Sequence, residues 1–169
     1  VITTNSGLWR YLIGDTIRFT SLSPYRIKVT GRTKHHINVF GEELMVENTD
    51  AALAKTCKEH LCEIIDYTVA PIFMTNEQKG AHEWIIEFKT KPDNIENFRK
   101  ALDENLQSVN SDYEAKRYNN MTLNPLVLNI ARENLFYDWL KQEDKLGGQH
   151  KVPRLSNERT YLESLLSLK

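Results

Sequence analysis

Cysteine is nearly missing from this chain: Cys57 and Cys62 are the only two in 169 residues. That excludes a disulfide-stapled scaffold, the usual answer of small secreted domains with too little core. The two thiols lie five positions apart, within or just after one helical pattern, and are expected to point in different directions. This suits neither a disulfide nor a shared metal, and implies two thiols lining apolar space in a reducing cytoplasm. An excess of one charge is missing too, since 22 Lys and Arg face 23 Asp and Glu for a net charge of −1. Such a balance gives no electrostatic case for nucleic acid or a membrane surface as partner. No apolar run approaches the roughly 20 residues of a membrane span, and no signal peptide opens the chain. His35, His36, His60, His82 and His150 show no metal-ligand spacing, so no metal site is expected. Repeats, low-complexity tracts and a Ser/Thr/Gly-rich phosphate loop are all lacking.

What is present reads as an ordinary globular composition, 40% hydrophobic and 27% charged. The length allows one domain, or one domain plus a fragment, with enough buried apolar surface to need no staple. The first residue is Val1 and Val1-Ile2-Thr3-Thr4 already reads as a strand, so the chain is expected to be a piece of a longer polypeptide. Leu8 to Leu12 and Thr16 to Thr20 are β-prone runs separated by Gly14-Asp15, a hairpin signal. Ser23-Pro24 ends the second run, and Tyr25 to Thr30 alternates again. Ile37 to Phe40 is predicted as a short strand stopped by Gly41. Val46 to Leu61 has helical spacing. Ile64 to Phe73 and Trp84 to Phe88 read as strands joined by a polar loop. The clearest helix carries the stripe Ile95, Phe98, Leu102, Leu106 and Val109, with Asp93 or Asn94 able to cap it. A short helix over 111–119, a strand over 126–130 entered from Pro125, and helices over 133–142 and 157–168 complete the chain. Gly147 to Arg154 is a loop, because Gly-Gly and Pro puncture any regular element. Interleaved helices and strands predict an α+β fold with α/β-type layering: a small mixed sheet flanked by helices, preceded by a β-hairpin.

Taken singly, the polar features are unremarkable. Gly14-Asp15 is a turn, Arg32 and Lys34 beside two histidines are a solvated loop, and Lys151 is a surface lysine. Their order is more specific. Tyr11-x-x-Gly14-Asp15, then Gly31-Arg32-x-Lys34, then a Gly41-containing loop leading into Glu47, then a late Gly-rich loop with Lys151 resembles the C-terminal end of the adenylate-forming enzymes. That superfamily holds acyl-CoA synthetases, peptide-synthetase adenylation domains and luciferase. Three segments narrow the likeness: Asn5 to Asp15, Asn110 to Arg117, and Gln149-His150-Lys151-Val152-Pro153-Arg154. They resemble the auxin-responsive (Gretchen Hagen type) acyl-acid amido synthetases. The run from Gly31 to Glu47 departs from the plant members and is closer to the general hinge of the superfamily, which suggests a bacterial-type member.

The resemblance implies a division of the chain. Residues 1–30 would be the last strands of a large adenylation domain, residues 31–34 a hinge, and residues 35–169 a mobile lid. It implies that Asp15 accepts hydrogen bonds from the ribose hydroxyls of ATP, and that Arg32 reaches the ribose or α-phosphate side. Arg32, Thr33 and Lys34 would form the hinge, whose torsions change as the lid turns. Lys151 would be the catalytic lysine, steadying the charge that develops on the α-phosphate and the acyl carboxylate. Arg154 would support the loop or touch a ligand. The implied reaction is a carboxylic acid plus ATP, with Mg²⁺ bridging the phosphates, giving an acyl-adenylate that an amine such as an amino acid then attacks. The partner would be the chain's own N-terminal adenylation domain, and the fragment alone is expected to be inactive. Two other readings stand beside this one: the lid of an acyl-CoA ligase-like enzyme, and a non-catalytic α+β interaction module.

Overall fold

The computed structural model describes residues 1–32, 36–120, 122–147 and 151–169. The strands expected at 1–4 and 8–12 do not form; only an isolated bridge joins Ile2 to Tyr11. Gly7 (φ 102°) and Arg10 (φ 48°) both stand at positive φ, which an extended ladder does not accept. The hairpin comes one step later. Strands β1 (Asp15–Leu22) and β2 (Tyr25–Arg32) pair antiparallel around Ser23 and Pro24. Gly14-Asp15 is therefore the entrance of the hairpin rather than its tip. A proline, with its fixed φ and no N–H to donate, suits the turn better than a ladder position. The register pairs Asp15 with Arg32, so β2 continues through Gly31 and Arg32. Ile17 pairs with Val29 and Phe19 with Ile27, and all four are about half exposed.

Two-residue strands β3 (His36–Ile37) and β4 (Leu44–Met45) follow, shorter than the 37–40 strand expected. Helix α1 (Val46–Glu59) leads into the long strands β5 (Glu63–Ile72) and β6 (Ala81–Thr90). Then come α2 (Ile95–Val109), α3 (Ser111–Arg117), β7 (Val127–Ile130), α4 (Leu135–Gln142) and α5 (Thr160–Leu166). The main sheet has the order β5-β6-β7, with β6 antiparallel to β5 and parallel to β7. It is the small mixed sheet expected.

The sheet is covered on both faces, because side chains alternate along its strands. Tyr67, Val69, Trp84, Ile86 and Phe88 face the layer of α1, α2 and α3, whose contributions include Leu53, Phe98, Leu102 and Tyr113. Ala70 and Ile85 face the other way, onto Leu135, Phe136 and Trp139 of α4 and Leu162 and Leu165 of α5. Burial on both faces is why Trp84 to Phe88 reads as a nearly unbroken apolar run. Asn94 supplies the cap of α2, its side chain accepting the Asn97 N–H at 2.9 Å. Glu87, buried in β6, accepts the N–H groups of Asn134 (2.7 Å) and Phe136 (3.2 Å) and so caps α4 from across the core.

The cysteines correct the expectation from helical spacing. The helix stops at Glu59, Leu61 takes φ 51°, and the Cys62 N–H returns to the Cys57 carbonyl at 3.1 Å. This reversal makes the two thiols hydrogen-bonding neighbours, and both are free. Burial, reinforced by the Cys62 thiol, pushes the Cys57 thiol up to about 12, which keeps it protonated and inert.

Candidate functional site

Lys151 begins a segment that runs along β5, an edge strand of the main sheet. Val152 is buried in the α4–α5 core and Leu155 in the opposite core, so the two apolar residues pin the segment from both sides. Backbone bonds fix its height: the Val69 N–H donates to the Arg154 carbonyl at 2.9 Å, and the Ser156 N–H to the Val69 carbonyl at 3.1 Å. The Thr68 hydroxyl donates to the Pro153 carbonyl at 2.7 Å. An edge strand presents unpaired backbone groups, and this segment satisfies those of Val69. Lys151 and Arg154 are left facing outward.

The Lys151 ammonium takes part in no hydrogen bond or ion pair among the described residues. It opens on a cleft of about 410 Å³ lined by Ile65, Asp66, Leu140, Val152 and Arg154, among others. Burial pushes the Asp66 carboxyl up, and the Tyr67 N–H bond at 2.9 Å, followed by the positive charges of Arg154 and Lys151, pulls part of that rise back. Arg154 is already engaged: its Nη1 lies 2.7 and 2.8 Å from the two carboxylate oxygens of Asp50 on α1. Sequence reasoning left Arg154 between loop support and ligand contact; its guanidinium here ties the segment to α1.

The other candidates sit on the hairpin. Asp15 is half-buried at the start of β1, opposite Arg32 in register. Thr33 and Lys34, assigned to the hinge, lie outside the described residues, as does the side chain of Arg32. A tie from the hairpin to the rest of the fold is an ion pair of 2.6 Å between Arg18 and Glu47, in the first turn of α1. The N-terminal half of α1 thus touches the hairpin through Glu47 and the Lys151 segment through Asp50.

The loop between β3 and β4 is locked into the core by a buried carboxylate. Glu42 is fully buried, with Oε1 2.8 Å from His82 Nε2 and Oε2 accepting the Phe40 N–H at 2.7 Å. The His82 ring stacks on Tyr113 with centroids 5.3 Å apart. Gly80 leaves room for the same loop, since a Cβ there would stand 2.5 Å from the Phe40 ring. Burial acts to raise the Glu42 carboxyl, but the bonds from His82 and the Phe40 N–H outweigh it and hold Glu42 below the usual carboxylate value of 4.5. A depressed carboxyl stabilises the fold in full above about pH 4.5, and that contribution fades as the pH falls through the lowered value. Glu42→Gln is therefore expected to weaken hydrogen-exchange protection of β6 by about 1.5–3 kcal/mol at pH 7, the worth of a charged hydrogen bond. The difference from the native protein should shrink below about pH 4.5. A difference independent of pH would assign Glu42 a purely steric role.

Among the described residues no three His, Cys, Asp or Glu side chains gather to hold a metal ion. No helix among them is long and apolar enough to cross a membrane.

The model of the GH3 family C-terminal domain matches residues 47–160, which includes all of α1 but its first residue, the main sheet and the Lys151 segment. The chain belongs to the GH3 family. The GH3 family central domain matches residues 1–32, up to the last residue of β2. Indole-3-acetic acid-amido synthetase GH3.3 of Arabidopsis thaliana is 25% identical over 179 residues, covering 98% of this chain and 29% of that protein. Solved structures show the same fold. GH3.15 acyl acid amido synthetase matches with a TM-score of 0.74 at 21% identity, over 98% of this chain and 31% of that one. AtGH3.15 acyl acid amido synthetase in complex with 2,4-DB matches with a TM-score of 0.72 at 20% identity. The chain spans about a third of the length of these GH3 relatives.

Within this GH3 fold, sequence reasoning missed Asp50, Tyr67 and the Glu42–His82 pair. Each works through a partner at least 17 residues away, and no local pattern announces such a pairing.

Proposed function

We propose that this chain is the C-terminal lid of an ATP-dependent acyl-acid amido synthetase, a cytoplasmic ligase of bacterial type. The observation that carries the reading is the position of Lys151. It lies inside the matched family domain, on a segment fixed to β5, with an ammonium that opens on a cleft and makes no hydrogen bond or ion pair among the described residues. In this reading the lid turns about Arg32, Thr33 and Lys34 and delivers Lys151 to the site where a carboxylic acid and ATP become an acyl-adenylate. The ammonium then offsets the negative charge that grows between the α-phosphate and the attacking carboxylate. Asp15 and Arg32 hold the nucleotide, a role supported by their register pairing at the open end of the hairpin. Mg²⁺ accompanies ATP in this reading and bridges its phosphates. The half-exposed row Ile17, Phe19, Ile27 and Val29 fits a surface covered by the chain's own adenylation domain. Two free cysteines fit a reducing cytoplasm, and 25% identity to the plant enzyme fits a member outside the plant branch.

The second step is attack by an amine, an amino acid in the simplest case, with release of AMP. Product analysis with the full-length protein separates this from thioester formation: an amide with an amino acid supports the reading, and a CoA thioester with no amide replaces it by the acyl-CoA ligase.

A further inference from the structure

The Asp50–Arg154 pair is built more heavily than its energy requires. Both side chains are nearly half exposed, at 46% and 44%, and at that exposure an ion pair contributes little to stability. Yet Arg154 Nη1 bridges both oxygens of Asp50. The Tyr67 hydroxyl donates to Asp50 Oδ1 at 2.7 Å, and Thr49 Oγ1 lies 2.7 Å from that same hydroxyl. The Arg154 guanidinium also lies 5.1 Å from the centre of the Tyr67 ring, which is itself stacked on Trp84. So α1, β5 and the sheet core converge on one side chain three residues from Lys151.

We propose that Asp50, acting through Arg154 with Tyr67 as its backstop, is a positioning residue for Lys151. The proposal rests on the reading of Lys151 given above. The buried Val152 and the Pro153 carbonyl bond set where the segment meets β5, and the Arg154 clamp stops the segment from twisting about that line. A twist there swings an outward-facing four-carbon side chain through ångströms at its tip. Misplacement of that size is enough to remove most of the benefit of a charge aimed at a transition state. Asp50 touches no reacting atom; it sets where Lys151 stands.

A double-mutant cycle in the full-length protein tests this, read by carboxylate-dependent ATP–pyrophosphate exchange. Asp50→Asn is expected to lower the exchange kcat about tenfold, with KM for ATP changed less than about twofold, because the clamp acts on alignment and not on binding. In a Lys151→Ala background the same substitution is expected to have no further effect, since there is no ammonium left to align. Arg154→Gln, which removes the other partner from the surface and strands no buried charge, is expected to reproduce the loss. Arg154→Lys should recover part of it, because the bond to Asp50 runs through a single nitrogen. Equal losses from Asp50→Asn in both backgrounds would show a general structural effect and overturn the clamp alone. So would an unchanged kcat for both Asp50→Asn and Arg154→Gln. Near-normal exchange by Lys151→Ala itself would overturn the Lys151 reading, and the clamp with it.

Discussion

Replacing Lys151 by Ala in the full-length protein is expected to slow adenylate formation by about 10²–10³-fold, the usual loss on removing one preorganised charge stabiliser. The size follows from how the side chain is held. Its neighbours Val152 and Leu155 are buried and its segment is hydrogen-bonded to β5, so the backbone is in place before substrate arrives. The ammonium makes no hydrogen bond or ion pair among the described residues, and Arg154 remains beside Asp66 when it is removed, so the change costs the fold little. The loss should therefore fall on kcat, with the circular dichroism spectrum and the unfolding temperature unchanged. Lys151→Arg keeps the charge but changes its reach and geometry, and is expected to recover only part of the rate. Near-normal pyrophosphate release by Lys151→Ala would contradict the assignment.

Asp103→Ala is expected to be the most damaging single change to the fold, weakening it by about 3–5 kcal/mol, the cost of breaking a buried ion pair from one side. Asp103 on α2 and Arg117 on α3 have only 7% and 6% of their side chains exposed. Arg117 donates from Nη2 to Oδ2 at 2.7 Å and from Nε to both oxygens at 3.1 Å. The Tyr113 hydroxyl donates to Oδ1 at 2.7 Å, and burial together with the Asp103 charge holds that phenol well above its ordinary value. Arg117 Nη1 reaches onward to the Leu123 carbonyl at 2.8 Å. One carboxylate thus ties α2, α3 and the approach to β7, and its loss leaves the buried Arg117 guanidinium without its carboxylate. Hydrogen exchange of the amides in α2 and β7 reads the effect without interference from other domains. Loss of less than about 1 kcal/mol would mean that water reaches Arg117 readily.

The sequence was most informative where a period carries the signal. The stripe from Ile95 to Val109 gives α2 with its bounds, because Phe98, Leu102 and Leu106 are buried on a 3.6-residue repeat. The strand at Trp84 to Phe88 is right in kind but short at both ends, since β6 spans Ala81–Thr90. Its extension carries His82 and Glu83, polar residues that belong inside only because Glu42 and Arg159 meet them there. The opening strands failed for a backbone reason, the positive φ at Arg10, which no side-chain pattern reveals. The cysteines came together for the same kind of reason, at Leu61. For the candidate site, the ordered motifs singled out Lys151 and Asp15. Asp50 stayed hidden because Arg154 lies 104 residues away.

The most direct test is ATP–pyrophosphate exchange by the full-length protein, screened over small carboxylic acids. Exchange that depends on one of those acids, and falls about 10²–10³-fold in Lys151→Ala, is the result expected. A folded protein that exchanges pyrophosphate with no acid in the screen would contradict the assignment of this chain as the lid of an adenylating ligase.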